Sequence, residues 1–361
     1  MTAHSMPTVA ALPFAALTDW LVAPVRTALL RLALELELPD ILHNEHSLSR
    51  IAASLQAHCG KAVDAARLTS LMDALVAAGL AHKTSGAYAN SPFAADYLRK
   101  GSPTYLGDLI ASLTGMQHRN LSSLRQRLFD DAPEDTESGQ GPRTDLRDEA
   151  HWKRSMAGLA AYQKAGAADS LARLIASLPG AEQFTSMLDL GCGPGITALR
   201  AAAMLPGLHV TLCDFPPVLD MARAEAGGMG LSERVRLLPG DFNECDPGPG
   251  HDLVWACQSL YYARDLPAFL KKIRRALRPG GLFVSVHEGV QAGVAPAALV
   301  LSRLSLSMEG QDVSFACGQM AAAAATAGLK RISTQPVPML FGEAHMEVFQ
   351  KPYSENTEDG A

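Results

Sequence analysis

The sequence has no cysteine pairs, no long uninterrupted apolar run and no excess of basic charge. Its six cysteines are far apart and none forms a Cys-x-x-Cys pair, which favours the reduced thiols of a cytoplasmic protein over a disulfide framework. The longest apolar stretch, near residues 21–38, contains two arginines and two glutamates, so no membrane span is expected. A net charge of −6 makes nucleic acid and anionic membranes unexpected partners.

The beginning of the chain has no basic segment followed by an apolar one, so no signal peptide is expected either. Metal binding is also disfavoured. No histidine pair has the i, i+4 spacing and no cysteine cluster is present, and these are the patterns that hold transition metals. What remains is a chain of 361 residues that is 48% hydrophobic, enough for two domains with substantial cores.

Residues 1–105 are predicted to form a winged-helix domain. Apolar periodicity predicts helices at residues 21–38, 47–56 and 64–79, followed by a hairpin that turns at Ser85 and Gly86. The third helix carries Arg67 as its only cation. A dimerisation role is therefore favoured over DNA reading.

Residues 106–361 are predicted to contain a helical linker and an α/β domain. Continuous apolar strands alternate with helices from Met187 onward, a pattern typical of a parallel, doubly wound, Rossmann-like sheet. An insertion over residues 289–314 follows the strand that ends in His287 and Glu288. Insertions at this edge of a sheet commonly build a substrate wall. Three side chains in or beside the insertion are candidate substrate contacts: Arg303, Met308 and Phe315. The alternatives are an ion pair with Glu309 for Arg303, and packing in the core, which is favoured, for Met308 and Phe315.

The strongest motif is Leu-Asp-Leu-Gly-Cys-Gly-Pro-Gly at residues 188–195. Glycines at 191, 193 and 195 allow a sharp turn out of a strand and a close approach of the backbone to a ligand. The spacing departs from the dinucleotide pattern Gly-x-Gly-x-x-Gly, and Pro194 removes an amide that a pyrophosphate would use. Together with Asp189, the three glycines (Gly191, Gly193 and Gly195) favour a zwitterionic, methionine-type ligand.

Acidic and aromatic residues follow the next strands. Asp214, with Phe215 after it, ends the second strand, where a carboxylate accepts hydrogen bonds from both ribose hydroxyls. Asp241 and Phe242 follow the third strand, and there an acid and an aromatic ring suit an adenine. Cys257 ends the fourth strand and is a further expected cofactor contact.

These segments resemble the class I S-adenosylmethionine (SAM) methyltransferases. The residues that carry the resemblance are LDLGCGPG, CDFPPVL, GDF and LRPGG. With the winged helix, the chain is similar to the dimeric small-molecule O-methyltransferases, such as caffeate and acetylserotonin O-methyltransferases, over about residues 20–350. The resemblance implies SAM as the cofactor, a homodimer and a small aromatic or conjugated acceptor. It implies that Asp214 holds the ribose, Asp241 and Phe242 the adenine, and residues 191–195 the methionine end.

The sequence departs from this family at the catalytic base. The family has a histidine nine residues after the acid that matches Asp252, where this chain has Tyr261 followed by Tyr262. A tyrosine at this place also occurs in the bacteriochlorophyllide C-methyltransferase that the segment resembles. A phenol, with an ordinary pKa of about 10, is a poor base at neutral pH. His287 is therefore a second candidate base. The alternative is that His287 is a buried histidine with a purely structural role.

Several interpretations remain open at this stage. Tyr261 and His287 are the candidate catalytic residues, with Tyr262 as a further substrate contact. A carbon, nitrogen or thiolate acceptor would need no strong base. The chain is also compatible with a SAM-binding hydroxylase or decarboxylase, and with a regulator that senses SAM and binds DNA through its winged helix.

Overall fold

The computed structural model describes residues 17–44, 46–122, 124–129, 149–290, 300–301, 304, 307–308, 315–340 and 342–353. The chain divides into two units, Met1–Met116 and Gln117–Ala361. This division falls inside a helix, Gly107–Ser122, and so lies later than the predicted boundary between residues 105 and 106. Among the described residues, no helix is long and apolar enough to cross a membrane.

The N-terminal unit is built from helices around a small antiparallel sheet. Its helices are α1 (Leu17–Glu35), α2 (Leu38–Ile41), α3 (Leu48–Cys59), α4 (Ala65–Ala77) and α5 (Pro92–Tyr97). Its strands are β1 (His46–Ser47), β2 (Ala81–Thr84) and β3 (Ala87–Asn90), in the order β1-β3-β2. The predicted three helices and hairpin are all present, with α2, α5 and β1 as additions.

Local chemistry accounts for these boundaries. The Asp64 carboxylate accepts a hydrogen bond from the Arg67 amide and caps α4. Ser85 and Gly86 both have positive φ, 49° and 83°, as the tight turn of a two-residue hairpin requires. Ser47 precedes α3, but its hydroxyl bonds to that of Ser49 and does not cap the helix.

The predicted first helix needs a correction. It begins at Leu17 and ends at Glu35, and does not continue to residue 38. Glu37 adopts a left-handed φ of 51°, which ends one helix and starts the next. Pro39 therefore lies in the first turn of α2, a position where its missing N–H costs nothing.

Helices lead into the second unit. They are α6 (Gly107–Ser122), α7 (Leu124–Phe129), α8 (Glu149–Tyr162) and α9 (Ala168–Ala176). Apolar residues recur at helical spacing over 151–178 and predict helix there. In the structure a π-helical segment, Gln163–Ala167, separates α8 from α9. Gly166 lies there with a φ of 123°, a conformation that only glycine adopts at low cost.

The second unit contains a sheet of seven strands. They are β4 (Ser186–Leu190), β5 (His209–Asp214), β6 (Val235–Pro239), β7 (His251–Cys257), β8 (Leu277–His287), β11 (Lys330–Met339) and β12 (Gly342–Gln350). Two short strands, β9 (Gly289–Val290) and β10 (Phe315–Ala316), pair separately. The sheet order is β11-β12-β8-β7-β4-β5-β6.

The prediction of a parallel sheet is confirmed for β4 to β8. It is wrong for β12, which runs antiparallel to both β8 and β11. The helices that alternate with these strands are α10 (Ile196–Met204), α11 (Pro216–Gly228), α12 (Leu266–Ala276) and α13 (Gln319–Thr326). The sheet is therefore mixed at one end and parallel where the predicted motifs lie.

Both faces of this sheet are buried. Met187 and Trp255 face one apolar cluster, whereas their neighbours Leu188 and Val254 face the other. Burial on both faces explains why the strands read as continuous apolar runs. Because β4 to β8 are parallel, their carboxyl ends meet at one edge, and that edge is where ligands bind in such sheets.

Candidate functional site

The loop at residues 191–195 joins β4 to α10 and forms a backbone cradle at this edge. Gly191 and Gly195 have positive φ, 68° and 73°. A β-carbon on Gly191 would lie 2.5 Å from the Ser259 β-carbon, and one on Gly195 would lie 2.8 Å from Leu212 Cδ1. Gly193, with φ of 55°, completes the turn. Side chains are therefore excluded at Gly191 and Gly195 by strain and by contact.

Asp214, at the end of β5, is bound to the same loop. Its carboxylate accepts hydrogen bonds from the amides of Gly193 and Phe215, each at 2.8 Å. Burial raises the pKa of Asp214 to about 6, although the two amide donors act in the opposite direction. The cradle and the Asp214 carboxylate thus form one unit.

Asp189 is the most perturbed acid of the site. It lies within β4 and is 3% exposed. Burial, with the nearby charge of Asp214 as the second cause, raises the pKa of Asp189 to about 8. Burial also raises the pKa of Cys257 above its usual range, and the charges of Asp189 and Glu288 add to this effect. A cluster of buried acids of this kind favours a cationic ligand.

Asp241 and Phe242 follow β6, the strand next to β5 in the sheet. The Asp241 carboxylate accepts hydrogen bonds from the Asn243 amide at 2.8 Å and from Arg264 Nη2 at 2.6 Å. The half-buried Phe242 ring packs against Phe269, with the ring centroids 5.1 Å apart. Asp241 is thus tied to protein partners, of which Arg264 is largely exposed.

Tyr261 lies in a 3-10 turn, Leu260–Tyr262, directly after β7. Its hydroxyl donates a hydrogen bond to Glu288 Oε2 and accepts one from the Glu288 amide at 3.0 Å. The Gln258 side-chain amide donates to Glu288 Oε1 at 2.5 Å. Glu288 itself is buried, at 2% exposure. The structure therefore places a carboxylate directly against the Tyr261 phenol.

His287, the second predicted catalytic residue, has partners on both ring nitrogens. Nε2 accepts hydrogen bonds from the amides of Ser259 at 3.2 Å and Leu260 at 3.0 Å. Nδ1 lies 2.7 Å from Ser285 Oγ. Complete burial lowers the pKa of His287 to about 3. The ring is neutral at physiological pH and both of its nitrogens are engaged within the protein.

The predicted substrate residues differ from one another in how far they are buried. Phe315 is buried, and its ring centroid lies 4.9 Å from that of Tyr261 and 5.3 Å from that of His287. Met308 is half-buried and Tyr262 is exposed. Arg303 lies outside the described residues, as does most of the insertion at 289–314.

Sequence reasoning missed Gln258. This residue follows β7 with a φ of 53°, unusual for a residue other than glycine and a conformation that often marks a functional turn. Its position at the carboxyl end of a strand was the available signal. The sequence placed Glu288 only at the end of a strand beside His287, whereas in the structure it contacts the Tyr261 phenol directly.

Comparisons with known proteins agree with this geometry. The family models that match are an O-methyltransferase dimerisation domain over residues 21–100 and a methyltransferase domain over residues 188–283. Acetylserotonin O-methyltransferase of Mus musculus molossinus is 30% identical over 299 residues, covering 78% of this chain and 75% of the relative. A 3-hydroxy-5-methyl-1-naphthoate 3-O-methyltransferase of Streptomyces sahachiroi is 28% identical, covering 53% of this chain and 54% of the relative.

Among solved structures, human N-acetylserotonin methyltransferase in complex with SAM is similar to this chain. The TM-score is 0.71 at 19% identity, and the match covers 96% of this chain and 100% of the human one. In this chain a glycine cradle and buried acids lie at the edge of the sheet, and they suit the cationic amino acid end and the ribose of SAM. The two matched domains and the relative at 30% identity show that the chain belongs to the SAM-dependent O-methyltransferase family, with SAM as its cofactor.

Proposed function

We propose that the protein is a homodimeric enzyme that methylates a hydroxyl group on a small aromatic metabolite. The observation that carries this proposal is the contact between Tyr261 and Glu288 beside the cofactor cradle. A phenol alone is a poor base, and this had favoured acceptors that need no deprotonation. A phenol bound to a buried carboxylate can take up a proton, and this restores a hydroxyl acceptor as the best candidate.

The cofactor site follows from the chemistry of its side chains. We assign Asp214 to the ribose hydroxyls and Asp189 to the ammonium group of the methionine end. We assign Asp241 and Phe242 to the adenine side, where the largely exposed Arg264 binds the Asp241 carboxylate. Cys257 ends a strand close to both Asp189 and Glu288. When bound, SAM supplies a methyl group that is already activated by its sulfonium.

The residues of this chain then have to orient the acceptor and remove its proton. In the proposed step, the acceptor hydroxyl donates its proton to Tyr261 Oη as its oxygen takes the methyl group. The Tyr261 proton passes at the same time to Glu288 Oε2. The products are a methyl ether, S-adenosylhomocysteine and a protonated Glu288, which returns its proton to solvent. Holding the two reactants at attack distance contributes the rest of the rate.

An aromatic acceptor is supported by the rings near Tyr261. Phe315 and His287 surround the phenol on two sides, and the half-buried Met308 belongs to the insertion that follows. Acetylserotonin and a hydroxynaphthoate, the acceptors that the names of the two relatives give, are both hydroxylated aromatic compounds. We propose the same class for this enzyme.

The direct test is an incubation with SAM labelled in its methyl group and a panel of phenols, N-acetylserotonin and 3-hydroxynaphthoates among them. The expected result is a labelled methyl ether identified by mass spectrometry. Label on carbon, nitrogen or sulfur would overturn the hydroxyl acceptor. Intact SAM beside an altered acceptor would favour a hydroxylase or decarboxylase, and a SAM-dependent shift of duplex DNA would favour a regulator.

The homodimer is supported by the surface of α1. Four large apolar side chains on this helix are more than half exposed within one chain, Leu17, Trp20, Leu21 and Val25, and their i, i+3, i+4, i+8 spacing puts them on one face. We expect light scattering to give a mass near twice 38.3 kDa. The double substitution Leu21→Asp and Val25→Asp should shift the protein to the single-chain mass without unfolding it. A wild-type monomer would contradict this prediction.

A further inference from the structure

We propose that His287 is a positioning residue, whose imidazole holds the turn at residues 258–262 so that the Tyr261 hydroxyl meets Glu288. This inference rests on the proposed function of that pair, and it concerns a residue for which sequence reasoning favoured catalysis or a place in the core. The evidence is the set of hydrogen bonds that link the ends of β7 and β8.

The turn begins with an unusual backbone arrangement. Gln258 leaves β7 with a φ of 53° while its amide still donates to the Val286 carbonyl. The next two amides, of Ser259 and Leu260, are the first N–H groups of the 3-10 turn, and groups in this position have no partner within a helix. Both donate to Nε2 of His287 instead. One imidazole nitrogen thus caps the turn that carries Tyr261.

The hydrogen bonds determine the protonation of the ring. A backbone N–H can only donate, so Nε2 must offer its lone pair and carries no hydrogen. The hydrogen of the neutral ring is therefore on Nδ1, and it donates to Ser285 Oγ at 2.7 Å. Because its only lone pair is in use, His287 cannot also act as the general base. Burial keeps this tautomer uncharged, since the pKa of His287 is lowered to about 3.

Three titratable groups among the described residues lie near the ring. They are Tyr261, which meets it edge-on at 5.0 Å between centroids, its chain neighbour Glu288, and the exposed His345, its pairing partner on β12. Phe315, on the other side, is apolar. His287 is joined covalently to Glu288 and by hydrogen bonds to the turn of Tyr261. It therefore sets the distance between the two members of the proposed catalytic pair.

The test compares His287→Leu, which removes the acceptor at similar volume, with His287→Gln, whose carbonyl oxygen can still accept. Hydrogen exchange by mass spectrometry, on the full chain saturated with S-adenosylhomocysteine, follows the amides of residues 259 and 260. In His287→Leu we expect these amides to exchange about tenfold faster or more, because two buried donors lose their acceptor. His287→Gln should restore most of the protection.

Kinetics and binding provide the second measurement. In His287→Leu, kcat with the phenol that gives labelled product should fall about tenfold to a hundredfold, while the affinity for S-adenosylhomocysteine changes less than about threefold. His287→Gln should recover kcat. Should the Leu variant fail to fold, Ser285→Ala serves instead. That substitution removes the acceptor of Nδ1–H and should loosen the same two amides to a smaller extent.

The proposal is overturned by unchanged exchange of residues 259 and 260 in His287→Leu. It is also overturned if the Leu and Gln variants lose protection equally, because that result would make His287 a packing residue. A wild-type rate that rises through a pKa of about 6 to 7, with the inflection lost in His287→Gln, would make it a base. Absence of any methylated phenol would reject the proposed function alone, since the exchange measurement needs no acceptor.

Discussion

Substituting Glu288 with Gln is expected to lower kcat for methyl transfer to a phenol by about 10² to 10⁴, the usual contribution of a general base. The Glu288 carboxylate is buried and receives the Tyr261 hydroxyl hydrogen bond. A glutamine amide can still accept one hydrogen bond, but it cannot take the proton at neutral pH. The affinity for S-adenosylhomocysteine should change little, because the cofactor cradle is formed by other residues.

Tyr261→Phe should reduce kcat by a similar factor, because it removes the group that receives the acceptor proton. If the two residues act as one unit, the double variant should be no slower than either single one by more than about threefold. Tyr353→Phe is the matched control: this tyrosine is 77% exposed and contacts Gly280, far along β8 from Glu288. Its kcat should equal that of the wild type.

Two results would contradict this assignment. Losses of only about tenfold to thirtyfold in both single variants would mean that Tyr261 and Glu288 contribute a hydrogen bond and no proton transfer. Losses that multiply in the double variant would mean that the residues act independently. In either case the acceptor would have to be one that ionises without help from the protein.

The glycine loop and the place of Asp214 beside it were largely predictable from the sequence, because their requirements are local. Gly191 and Gly195 have no room for a β-carbon, so only glycine fits at these two positions of the loop. Asp214 could be recognised because it ends the next strand after such a loop. Each of these inferences needed only neighbouring residues and the parallel order of β4 and β5.

The acceptor side was not predictable in the same way. Tyr261 and Glu288 are 27 positions apart, and their contact depends on the register in which β7 pairs with β8, with Cys257 opposite Val286. The state of His287 depends on burial by elements from three parts of the chain. Their positions at the ends of strands indicated that these side chains lie at the same edge of the sheet. The sequence did not indicate which of them are in contact.

The order of strands at the end of the sheet formed by β8, β12 and β11 was also not predictable from the sequence. Residues of β12 alternate between buried and exposed positions at its start, a pattern compatible with an antiparallel strand. Nothing in that pattern says that β12 inserts between β8 and β11, a result of the order of strands in space. The pairing of β12 with β8 brings His345 opposite His287 at the edge of the site.

The affinity for S-adenosylhomocysteine should rise about a hundredfold between about pH 6 and about pH 8, if Asp189 must be ionised to bind the ammonium group. In the free protein, burial and the charge of Asp214 raise the pKa of Asp189 to about 8, so its carboxyl is protonated below that pH. Ligand binding must then expel the proton. Each pH unit below the pKa costs about tenfold in affinity, which gives the direction and size of the effect.

Titration calorimetry in buffers of different ionisation enthalpy measures both quantities, the affinity and the number of protons released. About one proton per site should be released near pH 6 to 7, with a further contribution as the pH approaches the pKa of Asp214, raised by burial to about 6. S-adenosylhomocysteine is the better probe, because it lacks the sulfonium charge and leaves the ammonium group as the cation that Asp189 meets.

Two variants separate the acids. Asp189→Asn should bind more weakly at about pH 8 and lose most of the pH dependence above about pH 7, because the titrating group is gone. Asp214→Asn should also bind more weakly, but it should keep the dependence on Asp189 with its midpoint moved to lower pH, since the negative charge that helps to raise the Asp189 pKa is removed. An unchanged midpoint would mean that burial alone sets this pKa. A wild-type affinity that is constant from about pH 6 to about pH 8, without proton release, would exclude Asp189 as the partner of the ammonium group and leave the backbone cradle as the main source of binding at the methionine end.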